Sequence, residues 1–117
     1  MILSEVVQHI LAVIDVKCPK FESWENVDND GKGVLVCEKV SEEQAAPGVP
    51  AYICACIVSG MTAPDEDPER KILSSICDAA VQGINSLQNI TPLVITYNYS
   101  DEAYTFTINF KIAILEN

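Results

Sequence analysis

The last part of the chain carries a two-residue alternation, and this pattern constrains the fold more than any other feature of the sequence. From position 104 to position 114, apolar side chains alternate with polar or small ones. Because successive side chains of a strand point to opposite faces of a sheet, the pattern predicts a strand with one core face and one polar face. A shorter alternation at 93–99, separated from it by Ser100-Asp101-Glu102-Ala103, completes a β-hairpin. The core face comprises Tyr104, Phe106, Ile108, Phe110, Ile112 and Ile114, and the polar face comprises Thr105, Thr107, Asn109 and Lys111.

Two further strands precede the hairpin. Positions 34–44 alternate at first and then carry glutamates, which predicts a strand whose distal end reaches solvent. Positions 51–60 are apolar on both faces, which is typical of a central strand covered on both sides. The turn-rich run Ala-Ala-Pro-Gly-Val-Pro at 45–50 connects the two strands.

Two amphipathic segments predict helices. Residues 3–15 place apolar side chains at three- and four-residue spacing after Ser4 and Glu5, and the helix is expected to end at Cys18-Pro19. A second helix is predicted from Asp67-Pro68-Glu69, where aspartate caps and proline takes the first helical position, to about residue 87. Gly83 lies inside this helix at a cost of up to ~1 kcal/mol relative to alanine, so close packing is expected there.

The element order is therefore α-β-β-α-β-β, which predicts a single α+β domain over residues 1–117. The expected architecture is a mostly antiparallel sheet of about four strands with both helices on one face. The polar face of the hairpin is then either solvated or in contact with another subunit. The side chains expected to be largely buried are Ile10, Ile53, Ile76, Val81, Phe106, Ile108 and Phe110.

The segment 20–33 is polar, acidic and glycine-containing, and we interpret it as a loop. Phe21 and Trp24 are the two aromatic residues inside it. One interpretation is that they fold back as a lid on the core, and the other is that they anchor a partner, because exposed aromatics are favoured at interfaces.

The formal charge of −10, from 17 acidic and 7 basic residues, limits the possible partners. A strongly acidic surface repels nucleic-acid phosphates and anionic lipid, so specific nucleic-acid binding and membrane docking are not expected. Most of the acidic residues outside the strands fall into two clusters. They are Glu22, Glu25, Asp28 and Asp30 in the first, and Asp65, Glu66, Asp67 and Glu69 in the second.

Compartment and cysteine chemistry follow from simple counts. No apolar run approaches the ~20 residues of a membrane helix, and the N-terminus lacks the basic region of a secretory signal, so we expect a cytoplasmic protein.

Five cysteines without Cys-x-x-Cys spacing argue against a disulfide framework and against a zinc site. Cys54 and Cys56 would share one face of a strand and are expected to be reduced core residues.

No group of residues indicates catalysis, a metal site or a cofactor. His9 is the sole histidine, so neither a triad nor a histidine metal cluster can be built. The run 26–31 superficially resembles the start of a calcium loop, but Asn26 and Cys37 occupy the first and twelfth positions, where an acid and a bidentate glutamate are needed. We therefore expect a protein that is not an enzyme and holds no metal.

The whole-chain pattern resembles a known family. The resemblance lies in the length, the element order, the loop after the first helix and the long final hairpin ending in Phe110-Lys111-Ile112-Ala113-Ile114-Leu115. These features are similar to the tail-terminator proteins of long-tailed phages, small α+β subunits that form a hexameric ring closing the tail tube and joining the head. The resemblance implies a structural, non-catalytic homo-oligomer that contacts other tail or neck proteins, in the host cytoplasm and in the virion.

On that hypothesis, residues can be assigned to surfaces of the ring. Anionic side chains in a channel crossed by DNA would repel phosphate, so both acidic clusters are candidates for the lumen or for one ring face. The candidates for subunit or partner contacts are Phe21, Trp24, Thr105, Thr107 and Asn109.

A second function class remains open. A small acidic intracellular binding module, such as an inhibitor or an immunity protein against a basic toxin, would use its charge to speed association with a cationic partner. A stable monomer in solution would favour this alternative.

Overall fold

The computed structural model describes residues 1–28 and 30–116, and over these residues the protein is an α+β fold with a five-stranded mixed sheet and two α-helices. The strand order is β1-β2-β3-β5-β4, and only the β1–β2 pair is parallel. The helices are α1 (Val6–Val13) and α2 (Lys71–Asn85). The strands are β1 (Lys20–Phe21), β2 (Val34–Gln44), β3 (Ala51–Thr62), β4 (Val94–Tyr99) and β5 (Tyr104–Leu115).

The predicted α+β class is confirmed, but the sheet has five strands where about four are predicted, and the predicted order α-β-β-α-β-β lacks one strand. The additional strand, β1, lies in the segment 20–33 that was predicted to be a loop, and a 3-10 helix follows it at Trp24–Asn26. β1 is held by pairing with Leu35 and Val36, and the Lys20 ammonium donates to the carbonyls of Leu11 and Ile14 at the end of α1. A strand of two residues is too short to show alternation in the sequence.

Both helices are shorter than predicted. The first begins as a 3-10 turn at Leu3–Glu5, no side chain caps it or α1, and the chain is already extended at Ile14. The second begins at Lys71 instead of Pro68, because Asp67 caps it from further back. The Asp67 carboxylate accepts from the backbone N–H groups of Ile72 and Leu73, each at 2.9 Å, and from the Thr62 hydroxyl at 3.0 Å.

Both helices pack on the same face of the sheet and enclose one core. Gly60 of β3 leaves space for the Phe106 ring of β5, and Gly83 of α2 lies so close to Val13 and Ile14 that a Cβ atom would meet backbone at 2.6 Å, as its expected close packing requires. Of the seven expected core residues, all but Ile53 and Val81 are buried. Ile53 is only half-buried because it points away from the helices, and Val81 is half-buried against the core cluster.

Candidate interaction surfaces

The sheet has one face without a layer over most of its area. On β3 and β5, alternate side chains are buried beneath the helices, and the residues between them point the other way. The expectation that β3 is covered on both sides is wrong, because both helices lie on one side. We call the surface on the side of the sheet away from the helices the open sheet face. Its half-buried or exposed members are Ala51, Ile53, Ala55, Ile57 and Met61 of β3, with Thr105, Thr107, Asn109, Lys111, Ala113 and Leu115 of β5.

The open sheet face combines aliphatic side chains with the polar side chains of Thr105, Thr107 and Asn109 and the charged side chain of Lys111. Thr105 and Thr107 are half-buried, whereas Asn109 is exposed. A groove of about 420 Å³ crosses this face between Val40 of β2 and Val94 of β4. A surface with an apolar centre and polar surroundings has the composition of a protein interface.

One end of the open sheet face is covered. Val34 and Val36 point to this face but are 1% and 0% exposed. Phe21 is the register neighbour of Val36, so the two side chains lie side by side, and Phe21 is itself half-buried. Trp24 is 38% exposed in the turn that follows. The two aromatic residues therefore differ: Phe21 contributes to the cover, and Trp24 presents much of its ring to solvent.

The sheet ends on one side in β4, all six residues of which are exposed. Ile95, Tyr97 and Tyr99 point to the side of the helices, but the helices do not reach far enough to cover them. The Tyr97 hydroxyl lies 3.3 Å from the Cys77 sulfur of α2, and the Arg70 guanidinium lies 3.8 Å from the centre of the Tyr99 ring. These two contacts hold β4 against α2 and the residue before it. The strand itself carries no charged residue, no proline and no bulge.

The second edge of the sheet is open over the distal half of β2. β1 pairs only with Leu35 and Val36, so residues 38–44 have no strand on that side within the described chain. We call these residues the distal β2 edge. Residues 40–50 of the β2–β3 hairpin are all exposed, and the register shifts between Lys39 and Ser41, which leaves Val40 as a bulge.

The structure brings part of the two acidic clusters together. Asp30 lines the same cleft as Asp65 and Glu66, and Glu102 from the β4–β5 turn joins them. Glu102 carries no signal in the sequence, because only the hairpin pairing brings it to this end of the sheet. The remaining cluster members Glu22, Glu25, Asp28 and Glu69 are exposed at other points of the surface.

Asp67 does not belong to the acidic surface. It is 3% exposed, and both carboxylate oxygens accept hydrogen bonds from α2 or Thr62. Its assignment to a lumen or ring face is therefore wrong, because a carboxylate that caps a helix from inside cannot face a channel.

A cleft of about 960 Å³ lies between α2 and the connection from α1 to β1. It is lined by side chains of both charges, among them Asp15, Lys17, Lys32 and Lys71. Cys18 also lines it, but burial raises the pKa of this thiol, which disfavours the reactive thiolate.

The other four cysteines are free and buried in the core. Burial raises the pKa of the Cys56 thiol to about 12 and that of the Cys37 thiol still further. Thiols held protonated in this way act as small apolar core residues.

Across the described part of the chain, no three histidine, cysteine, aspartate or glutamate side chains are grouped so that they could hold a metal ion. Asn29, in the run that resembles a calcium loop, lies outside the described residues, as does Asn117. Within residues 1–28 and 30–116, no helix combines the length and apolar character needed to cross a membrane. Comparison with models of known protein families finds no match for this chain, and comparison with curated proteins finds none either.

Proposed function

We propose that this protein is a structural, non-catalytic subunit that assembles as a ring capping the tail tube of a phage or tail-like particle. The observation that carries the proposal is the open sheet face, where β3 leaves aliphatic side chains half-exposed although it is the central strand. Apolar side chains left without a covering layer on a small protein are typical of an interaction site. The two open sheet edges add unpaired backbone groups to the same molecule.

In the proposed assembly, Thr105, Thr107 and Asn109 contribute the polar part of the contact on the open sheet face. They stand directly opposite Met61, Ser59 and Ile57 in the register of β3 and β5, so polar groups lie beside the aliphatic side chains of Met61 and Ile57. Trp24 is available as an aromatic anchor, and Phe21 lies half-buried at the covered end of the face.

The acidic end formed by Asp30, Asp65, Glu66 and Glu102 is the surface that we assign to the lumen or to one ring face. Clustered carboxylates create a negative potential that repels DNA phosphates. DNA passing such a surface would not be retained by it. Glu22, Glu25, Asp28 and Glu69 extend the negative surface, and Asp67 takes no part.

The experiment is binding to tail tubes purified from the same source, followed by sedimentation. Wild-type protein should cosediment with the tubes, and Ile57→Arg on the open sheet face should abolish cosedimentation, because a buried unpaired charge is strongly unfavourable at an interface. Gln82→Arg on the exposed side of α2 is the matched control and should bind as wild type does. Failure of wild-type protein to bind would refute the tail function.

The second candidate is a binding module for a basic protein. The exposed Trp24 beside the exposed carboxylates of Glu22 and Glu25 supports it, because an aromatic anchor flanked by negative charge suits a cationic partner. Tight one-to-one capture of a basic protein by a monomer that ignores tail tubes would favour this candidate, and Trp24→Ala should then weaken the capture.

A further inference from the structure

We propose that the groove on the open sheet face binds a small anionic amphiphile, a molecule with an aliphatic body and one carboxylate, and that Lys111 pairs with the carboxylate. The groove has a volume of about 420 Å³. Small-molecule sites commonly occupy roughly 300–1,000 Å³ and combine mostly apolar walls with a few polar groups. The inference goes beyond the tail function, because this site needs no second protein.

Two local features of the sheet form the walls of the groove. On one side the register of β2 shifts at Val40, which lines the groove and is 61% exposed. A bulge of this kind can re-aim a side chain. On the other side lie Thr91 and Pro92, and Thr91 is fixed to β5 by two hydrogen bonds. Its N–H donates to the Lys111 carbonyl at 2.9 Å, and its hydroxyl accepts from the Lys111 N–H at 2.8 Å. This second wall is therefore held in place by hydrogen bonds to the strand that forms part of the floor.

The floor of the groove contains a depression on the central strand β3. Ala55 stands directly opposite Lys111 in the register of β3 and β5, and Ile57 stands opposite Asn109. Ala55 is flanked on the same face by Ile53 and Ile57, because residues two apart on a strand point the same way. Its single methyl group leaves space between two larger aliphatic side chains. An aliphatic chain lying across Ala55 would contact apolar groups there.

Lys111 supplies the one charged side chain among the residues that line the groove. Within residues 1–28 and 30–116, Lys39 pairs with Glu42 and Lys71 pairs with Glu69, but no carboxylate pairs with Lys111. Its ammonium group can therefore pair with an anion that enters the groove. The formal charge of −10 repels an anion at long range, but salt screens that repulsion beyond about 8 Å at physiological ionic strength. The nearest charge then decides which head group is bound.

The spacing of the strands sets the length of the ligand. Lys111 lies on β5 and Val40 on β2, with β3 between them, so two strand spacings separate their strands by about 10 Å. A carboxylate at Lys111 would direct a chain of the length of octanoate across Ala55 towards Val40. Burial of its methylene groups supplies binding energy, and the charged hydrogen bond to the ammonium group selects the head group. One ammonium group suits a single negative charge better than a phosphate with two.

A nuclear magnetic resonance titration of the full chain with octanoate, below the concentration at which it forms micelles, tests the site. The amide signals of Ala55, Ile57 and Lys111 should shift and saturate. Octanoate should bind up to about tenfold more tightly than hexanoate, because it buries more methylene groups. Absence of saturable shifts at these residues would overturn the proposal.

The role of Lys111 is tested by comparing octanoate with the uncharged octanol. Lys111→Gln should weaken octanoate binding by up to about fivefold and leave octanol binding unchanged, since the alcohol carries no charge. Lys39→Gln removes a lysine that does not line the groove and is the matched control, which should bind both molecules as wild type does. Equal weakening for octanoate and octanol in Lys111→Gln, or no weakening of either, would overturn the pairing with Lys111.

The position of the aliphatic chain is tested by filling the groove. Ala55→Leu should abolish binding of both molecules, and circular dichroism checks that the variant is folded. Val40→Glu, at an exposed wall position, should weaken octanoate more than octanol, because it adds a carboxylate near the bound anion. Unchanged octanoate binding in either folded variant would place the ligand elsewhere and overturn the site. None of these measurements uses tail tubes, so the amphiphile site and the tail function succeed or fail separately.

Discussion

Gly60 decides how the two central strands of the sheet fit together. A Cβ atom at this position would collide with the Phe106 ring, meeting its Cε1 atom and lying 2.6 Å from its Cζ atom. Phe106 is fully buried, so its ring has no room to move away. The glycine therefore has a packing role in the interior of β3, where glycine would otherwise weaken a strand.

We predict that Gly60→Ala lowers the free energy of unfolding by about 1–3 kcal/mol, the usual cost of overpacking a core. Urea denaturation followed by circular dichroism measures the loss. Phe106→Leu should recover part of it in the double variant, because the smaller side chain makes room for the new methyl group. Additive losses from the two changes would show that the ring and the glycine do not limit each other.

The buried thiols predict a pH dependence of stability. The pKa of Cys56 is raised from its usual value near 9 to about 12, mainly by burial, so the folded state holds a proton that the unfolded state releases earlier. The stabilisation is complete below about pH 9 and is lost progressively as the pH rises towards 12. Chemical denaturation between about pH 8 and pH 10.5 should show falling stability, with a shallower fall in Cys56→Ala. Ser59→Ala on the same strand removes no thiol and should keep the wild-type slope.

Five of the seven core residues expected from the sequence are buried, but the sequence did not indicate the face to which each apolar side chain of β3 points. Ile53 and Cys54 are neighbours in an apolar run, and an apolar run has no alternation that assigns a face. The helices cover the Cys54 side, so the smaller residue is buried and Ile53 is half-exposed. Asp67 shows a second limit of the sequence. Its position fits both a helix cap and an acidic surface cluster, and only the fold shows that it is a buried cap.

At the scale of elements, α2 depends on a cap that lies outside its first turn. Asp67→Ala would leave the N–H groups of Ile72 and Leu73 and the Thr62 hydroxyl without their acceptor. We predict a loss of about 2 kcal/mol or more in unfolding free energy, since both a cap and buried hydrogen bonds are removed. Asp65→Ala, an exposed change in the same acidic cluster, should cost less than about 0.5 kcal/mol in the same denaturation assay. Equal losses would refute the capping role.

The elements that were predicted correctly are those with long internal patterns. The bounds of β2 match the predicted range 34–44, and the strand 104–114 is found with one further residue. The sequence does not reveal β1, because two residues are too few to show a repeating pattern. The predicted start of α2 is too early, because Pro68 and Glu69 are also typical of a first helical turn. The open edges of β2 and β4 were not foreseen, since which strands lie at the edges of a sheet depends on pairing between distant segments.

At the scale of the whole molecule, the proposed assembly would have to overcome charge repulsion. Six copies, each with a formal charge of −10, would carry −60 in total. Salt screens such repulsion beyond about 8 Å at physiological ionic strength. We therefore predict that oligomers become more stable as salt increases, as measured by light scattering across protein concentration. The double variant Asp65→Asn, Glu66→Gln should show a weaker salt dependence, and dissociation by salt would contradict the expectation.

The position of β5 between β3 and β4 also governs how the chain folds. β3 and β2 are joined by a short turn and can pair early, but β3 meets β5 only after the chain has passed through α2 and β4, with Thr62 finally opposite Tyr104. Closing that long segment has an entropic cost before any contact repays it, so docking of β5 is expected to limit the folding rate. Until then the apolar strand β3 lacks one neighbour, and this interval is when a newly made chain is most prone to aggregate.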